Sequence, residues 1–147
     1  MTELPHPLEV EEDVDMARAD ADAERIRVAL EQDRTIDITT VGRSSGLPRR
    51  IETWFHRVDG RFYLTGSPGR RDWYANLLAH PTFTFHLKQS ASADLPAQAK
   101  PISDPAERRR IFTAILNDLQ QSDHFDGWLS GSPLIEVQFT DLELSRK

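Results

Sequence analysis

Residues 42–46 read Gly-Arg-Ser-Ser-Gly, and two chemistries compete for them. As G-x-S-x-G, the stretch has the spacing of a nucleophile elbow, in which Ser44 would attack a carbonyl carbon. As a basic turn it would grip an anion instead. Gly42 and Gly46 let the backbone come close to a ligand, Ser44 and Ser45 offer hydroxyls and amides, and Arg43, Arg49 and Arg50 supply charge. The residues that follow decide between the two. An elbow needs a strand-to-helix turn, whose helix N-terminus helps hold an oxyanion. Here Leu47-Pro48 leads into Arg-Arg-Ile-Glu-Thr-Trp-Phe, which is a strand pattern. A chain of 147 residues is also short for the sheet of an α/β-hydrolase. The turn reading is preferred, and no catalytic nucleophile is expected.

Charge distribution favours an anion as well. Residues 1–33 hold eleven acids and three bases, a net of -8, so within a total of -6 the remaining residues carry +2. Residues 34–71 concentrate eight arginines against Asp37, Glu52 and Asp59, a local net of +5. An acidic N-terminal segment would repel a nucleic acid, so a compact anionic ligand fits this distribution better. A second basic pair, Arg70 and Arg71, stands where a helix is expected to begin. Cations are unfavourable there unless an anion joins them.

Other chemistries find little support. The five histidines (6, 56, 80, 86 and 124) lack metal-ligand spacing and read as surface or edge residues, and there is no cysteine. Arg108, Arg109 and Arg110 read as the solvated face of a helix. Trp54, Trp73 and Tyr74 could flank a planar ligand, with at least one of them in the core. No apolar run approaches the length of a membrane span and no signal-peptide pattern is present, so a cytoplasmic protein is the expectation.

The elements that must position these residues follow from periodicity. An acidic N-terminal segment and helix (1–33) precede a barrel domain (34–147). Within the former, residues 1–12 read as a flexible lead-in. Residues 13–32 read as a helix whose apolar stripe (Met16, Ala19, Ala23, Ile26, Leu30) is rich in alanine and so weakly attached. Strands are expected at 35–41, 49–58, 61–66, 82–88, 95–103 and 133–144, and helices at 72–80 and from Asp104 onward. Asp59-Gly60 suits a two-residue type I′ hairpin, and Asp104-Pro105-Ala106-Glu107 is a helix start. Pro96 and Pro101 suggest that the fifth strand lies at an edge or has only its middle paired. Six strands joined mostly by tight turns predict an α+β fold that is mainly β, an antiparallel barrel with helices outside it.

The strings TTVGRSSGLPRRIETWF and VDGRFYLTGSPGRRDWYANLLAHPTFTFHL resemble the deazaflavin-dependent nitroreductase and quinone reductase family. Those proteins are in turn similar to FMN-binding split β-barrels of the pyridoxamine-phosphate-oxidase type. The resemblance spans roughly residues 35–90 and is most specific in Trp-Tyr-x-Asn-Leu. It implies a six-stranded antiparallel split β-barrel that binds coenzyme F420, with FMN as the alternative cofactor. It further implies cofactor contacts for Arg43, Ser44, Ser45 and Arg49 on the turn, and for Gly66, Ser67, Arg70, Arg71, Trp73 and Tyr74 in and after the following loop. Asn76 and Leu77 match the motif and are expected to pack the helix. The loop 67–71 is shorter than is usual, and Glu52 stands where many members carry proline. A reduced deazaflavin donates hydride, so the protein need only bind and orient it, and no dedicated acid or base is required. The expected activity is reduction of a quinone-like or nitro-aromatic acceptor; a non-catalytic module holding an anionic cofactor or lipid is the competing class. Resemblance also implies a homodimer. The proline-bearing fifth strand, the aromatic strand 82–88 and the expected loop carrying Trp128 and Leu129 suggest an apolar surface for a partner, or for the N-terminal helix, to cover.

Overall fold

A computed structural model describes residues 7–140, with side chains from Ala17 onward. Helix α1 (Pro7–Gln32) precedes β1 (Thr35–Val41), β2 (Pro48–Val58) and β3 (Arg61–Thr65). Helix α2 (Asp72–Ala79), β4 (Thr82–Leu87), β5 (Ala93–Pro101), α3 (Pro105–Asp118), a 3-10 turn at Ser122–His124, α4 (Phe125–Gly131) and β6 (Leu134–Phe139) follow. The six strands close into an antiparallel barrel in the order β1-β2-β3-β6-β5-β4. The fold is α+β, and the expected barrel is the one observed.

Local signals explain the turns. Asp59 (φ 53°) and Gly60 (φ 77°) both take the positive φ that a type I′ hairpin demands. The Asp104 carboxylate accepts the Glu107 N–H at 3.0 Å, and Pro105 occupies the first turn of α3. Inside the barrel the alternating residues meet as a phenylalanine cluster. Phe55 and Phe85 lie 5.2 Å apart, Phe85 and Phe139 5.0 Å apart, and Phe62 and Phe139 5.6 Å apart, all three pairs edge-on. A second core forms outside, where α3 and α4 bring Phe112, Ile115 and Trp128 against Tyr63 and Leu134.

Five expectations need correction. The fifth strand is no edge: β5 pairs with β4 on one side and β6 on the other. Its prolines are tolerated because both lie at ends of the β5–β6 ladder, one just before Ala97 and one at its last residue, Pro101. Residues 125–131 form a helix, not a loop, and Trp128 is buried edge-on to Phe112. Phe83, Phe85 and Leu87 are buried too, so these residues leave no apolar patch. The histidines are not all superficial: His56 is covered where α3 docks on β2, and His86 lies buried between Thr39 Oγ1 and Asp94 Oδ1, 2.7 Å from each.

The fifth correction concerns α1, which begins at Pro7 within the expected lead-in and is firmly held at its C-terminal end. Ala19 and Ala23 are exposed, but Ala29 and Leu30 are buried in the barrel core. Arg57 donates to the carbonyls of Leu30 (2.6 Å) and Asp33 (2.8 Å), capping the helix end. Asp33 in turn accepts from the N–H (3.1 Å) and hydroxyl (2.7 Å) of Ser90. The expected strand residues 141–144, and Met16 of the expected stripe, lie outside the described residues and side chains.

His56 links this packing to pH. Burial, helped by the neighbouring Arg34 and Arg57 charges, pushes its imidazole down from 6.5 to about 4. A histidine whose folded pKa is lowered binds fewer protons than its unfolded counterpart between those two values. Stability is therefore full above the unfolded pKa and is lost as pH falls through the window. Lowering pH from about 7 to about 5 should cost about 2 kcal/mol in chemical denaturation on this account. A His56→Gln variant should lose that part of the pH slope, and an unchanged slope would refute the assignment.

Candidate functional site

The GRSSG turn joins two antiparallel strands, β1 and β2, and no helix follows it. The geometry of a nucleophile elbow is therefore absent at Ser44. The turn is tied by Gly42 N–H to Leu47 O (2.8 Å), Gly46 N–H to Gly42 O (2.9 Å) and Leu47 N–H to Ser45 Oγ (3.1 Å). Two glycines are favoured for different reasons. Gly46 sits at φ 71°, and a Cβ on Gly42 would fall 2.5 Å from Ser45 Oγ.

Strand alternation then sorts the arginines. Opposite residues in an antiparallel pair point the same way, so Arg49, paired with Thr40, shares the inward face of Ile36 and Ile38. Arg50, paired with Thr39, faces outward, where it meets Asp37 at 3.0 Å. Lys88 joins that outer cluster, bonding both Asp37 and Glu52; it and Arg50 hold the Asp37 carboxyl below its usual range. One residue step thus separates a cation in the barrel mouth from one spent on a surface network.

Helix α2 closes the other side of the mouth. Its Asn76, buried, accepts both the backbone N–H and the Nη1–H of Arg43, each at 3.0 Å. Its amide nitrogen donates to the buried Thr40 hydroxyl at 3.2 Å. Arg43 also approaches Asp72 at 3.4 Å. One carboxamide therefore fixes α2, the end of β1 and a guanidinium in a single arrangement.

Between turn and helix lies a groove of about 480 Å³, bounded by Arg43, Ser44, Ser45 and Arg49 on one side and Trp73 on the other. Five of the residues anticipated for a ligand come together there. The other five do not line it. Arg71 folds back onto its own loop, donating to Ser67 O (2.9 Å) and Arg70 O (3.1 Å). Gly66 leaves space for that guanidinium, since a Cβ there would lie 3.2 Å from Arg71 Nε. Arg70 is exposed, and Tyr74 packs edge-on to Trp73 and against the barrel core. Gly42, expected to let the backbone come close to a ligand, lines the groove as well, together with Thr40, Ile51, Asp72 and Asn76, for which no contact was expected. Asn76 was visible only as part of the Trp-Tyr-x-Asn-Leu string, and its bond to Arg43 spans residues 33 apart in sequence.

The arrangement can hold an anion of moderate size: Arg49 makes no ion pair among the described residues, and Arg43 is pre-oriented. Among the described residues, no three histidine or acidic side chains converge as metal ligands. No described helix is long and apolar enough to cross a membrane.

Comparison with solved structures places the barrel among split barrels of low sequence identity. An F420-H2 dependent reductase (FDR-A) superposes with a TM-score of 0.57 at 20% identity, covering 72% of this chain and 95% of that one. A Clostridium acetobutylicum protein of the pyridoxinephosphate oxidase family, related to general stress protein 26 of B. subtilis, gives 0.60 at 13% identity, covering 80% and 82%. A chain described as a domain-swapped dimer gives 0.56 at 20% identity, covering 86% and 99%. No curated protein matches by sequence. The sequence pattern of the family described as F420H(2)-dependent quinone reductase matches residues 11–129, from α1 through the groove to α4, and the chain belongs to that family.

Proposed function

We propose that the protein is a deazaflavin-dependent reductase that binds coenzyme F420 in the groove between the GRSSG turn and α2. The hydride acceptor would be a quinone-like or nitro-aromatic compound. The observation that carries this reading is the meeting of cations (Arg43, Arg49) and apolar side chains (Trp73, Ile51) in a single groove. An anionic tail suits the first and a planar ring the second. Family membership supports the choice of cofactor.

When bound, reduced F420 supplies a hydride. The chain's own contribution is binding and orientation. Arg49 and the turn hold negative charge, Asn76 keeps Arg43 aimed into the groove, and Trp73 offers a flat wall that excludes water from one side. An acceptor would enter over the exposed Leu47 and Ile51 at the rim.

The two arginines should behave differently. Arg49→Ala removes a charge that bonds no carboxylate here, so F420 affinity should fall about ten- to a hundredfold with little change in melting temperature. Arg43→Ala should lower affinity comparably and also cost about 1 kcal/mol of stability, because Asn76 Oδ1 loses the guanidinium donor and keeps only the backbone N–H of residue 43. Fluorescence titration with F420, run beside FMN, measures this. Tight FMN binding would support the flavin alternative, and no binding of either would support a non-catalytic module.

We also propose a symmetric homodimer with the groove near its interface. The exposed Leu47 (60%) and Ile51 (38%) at the groove's rim support this, as does the dimer described for a relative. Light scattering on the full chain should give twice the monomer mass. A monomer would refute the proposal, and one that dimerises only after removal of α1 would make that helix a lid.

A further inference from the structure

We propose that Gly131, the last residue of α4, is a positioning residue: it seats the loop 66–71 and through it places the α2 wall of the groove. The inference rests on the reading of that groove as the cofactor site. It begins with a close approach. A Cβ on Gly131 would lie 3.1 Å from Pro68 Cβ and 3.8 Å from Pro68 Cα, so the missing side chain is what admits the proline. Beside it, Gly69 N–H donates to Gly131 O at 3.1 Å. The loop therefore lies directly on the end of α4.

From the seat the path to the groove is short and braced. The Arg71 guanidinium bonds back to Ser67 O and Arg70 O, closing the loop on itself. The Arg71 carbonyl accepts Ala75 N–H at 3.2 Å and so begins α2. Asp72 and Trp73, the next two residues, line the groove. A shift at Pro68 is thus passed to the residues that face the ligand.

When the seat is filled, the loop has to yield, because α4 is held from behind. Trp128 is buried against Phe112. Arg108 donates to the carbonyls of Ile102 (3.2 Å), Leu129 (2.9 Å) and Ser132 (2.9 Å), pinning both sides of the α4 C-terminus. Gly127 provides the contrast within the same helix: a Cβ there would be 3.9 Å from Pro68 Cγ, an ordinary contact that displaces nothing.

This separates positioning from structural support. Alanine is favoured over glycine within a helix, so neither Gly127→Ala nor Gly131→Ala should lower the melting temperature. Gly131→Ala should nonetheless weaken F420 binding about tenfold, as expected for a small displacement of a binding wall. Gly127→Ala should leave affinity unchanged. In a Pro68→Gly background, which removes the opposing Cβ, the Gly131→Ala penalty should disappear. Tryptic cleavage after Arg70 and Arg71, read by mass spectrometry, reports the loop without any cofactor. It should accelerate in Gly131→Ala and not in Gly127→Ala. Equal cleavage of the two variants, or a Gly131→Ala penalty that persists without Pro68, would overturn the seat. Failure of the wild type to bind F420 would overturn the cofactor reading alone, since the cleavage contrast still decides whether Gly131 holds the loop.

Discussion

Closure of the barrel is the constraint from which the other features follow. Six strands leave an interior that side chains alone can fill, and here the linked phenylalanines 55, 62, 85 and 139 fill much of it. With no open edge, no strand can slip by one residue without turning its whole apolar set outward. The register is therefore fixed by the core, and the register in turn decides which polar residues reach the mouth. Thr40 and Arg49 are there because Ile38 and Phe55 are inside. Arg50 is outside for the same reason.

A barrel mouth lined by cations would be a poor resting state if their charges were left to repel. The structure handles this unevenly. Arg43 is restrained by Asn76 and approached by Asp72, while Arg71 is turned onto carbonyls of its own loop. Arg50 and Lys88 share carboxylates on the outer face. Arg49 is the cation of the groove with no carboxylate partner among the described residues. A basic local composition thus becomes a small amount of available charge at one place, the condition for selective binding of a single anion.

The helices extend this logic away from the mouth. Helix α3 covers the outer face of β2, β3 and β6, burying His56 and Tyr63; burial raises the pKa of the Tyr63 phenol as it lowers that of the His56 imidazole. Helix α4 packs on α3 and offers two glycines to the loop that precedes α2. The far end of α1 is capped by Arg57, whose own pKa is lowered by burial. The C-terminal ends of α1 and α4 are each held by an arginine distant in sequence, Arg57 and Arg108. This helps a chain with a modest core keep a defined groove.

Much of the barrel was legible in the sequence because its signals are local. Asp59-Gly60, Asp104-Pro105 and the alternation of Ile36 with Ile38 each depend on neighbours a few residues away, and a type I′ turn or an N-cap needs nothing more. The GRSSG turn and the Trp-Tyr-x-Asn-Leu string also marked the two sides of the groove before any fold was known. Tertiary structure alone decided the rest. Pro96 and Pro101 read as an edge because the sequence does not show where the partner ladder ends. Trp128 and Leu129 read as loop residues because Gly127 and Gly131 beside them are poor helix formers, and it takes the burial of Trp128 to outweigh these. Of ten candidate ligand contacts, the five on or across from the turn met in the groove, and Arg71 was withdrawn by carbonyls of its own loop. Residue type and spacing state what a side chain can bond. Which partner it meets is set by closure of the barrel, which brings together residues such as Arg43 and Asn76 that propensity and periodicity treat separately.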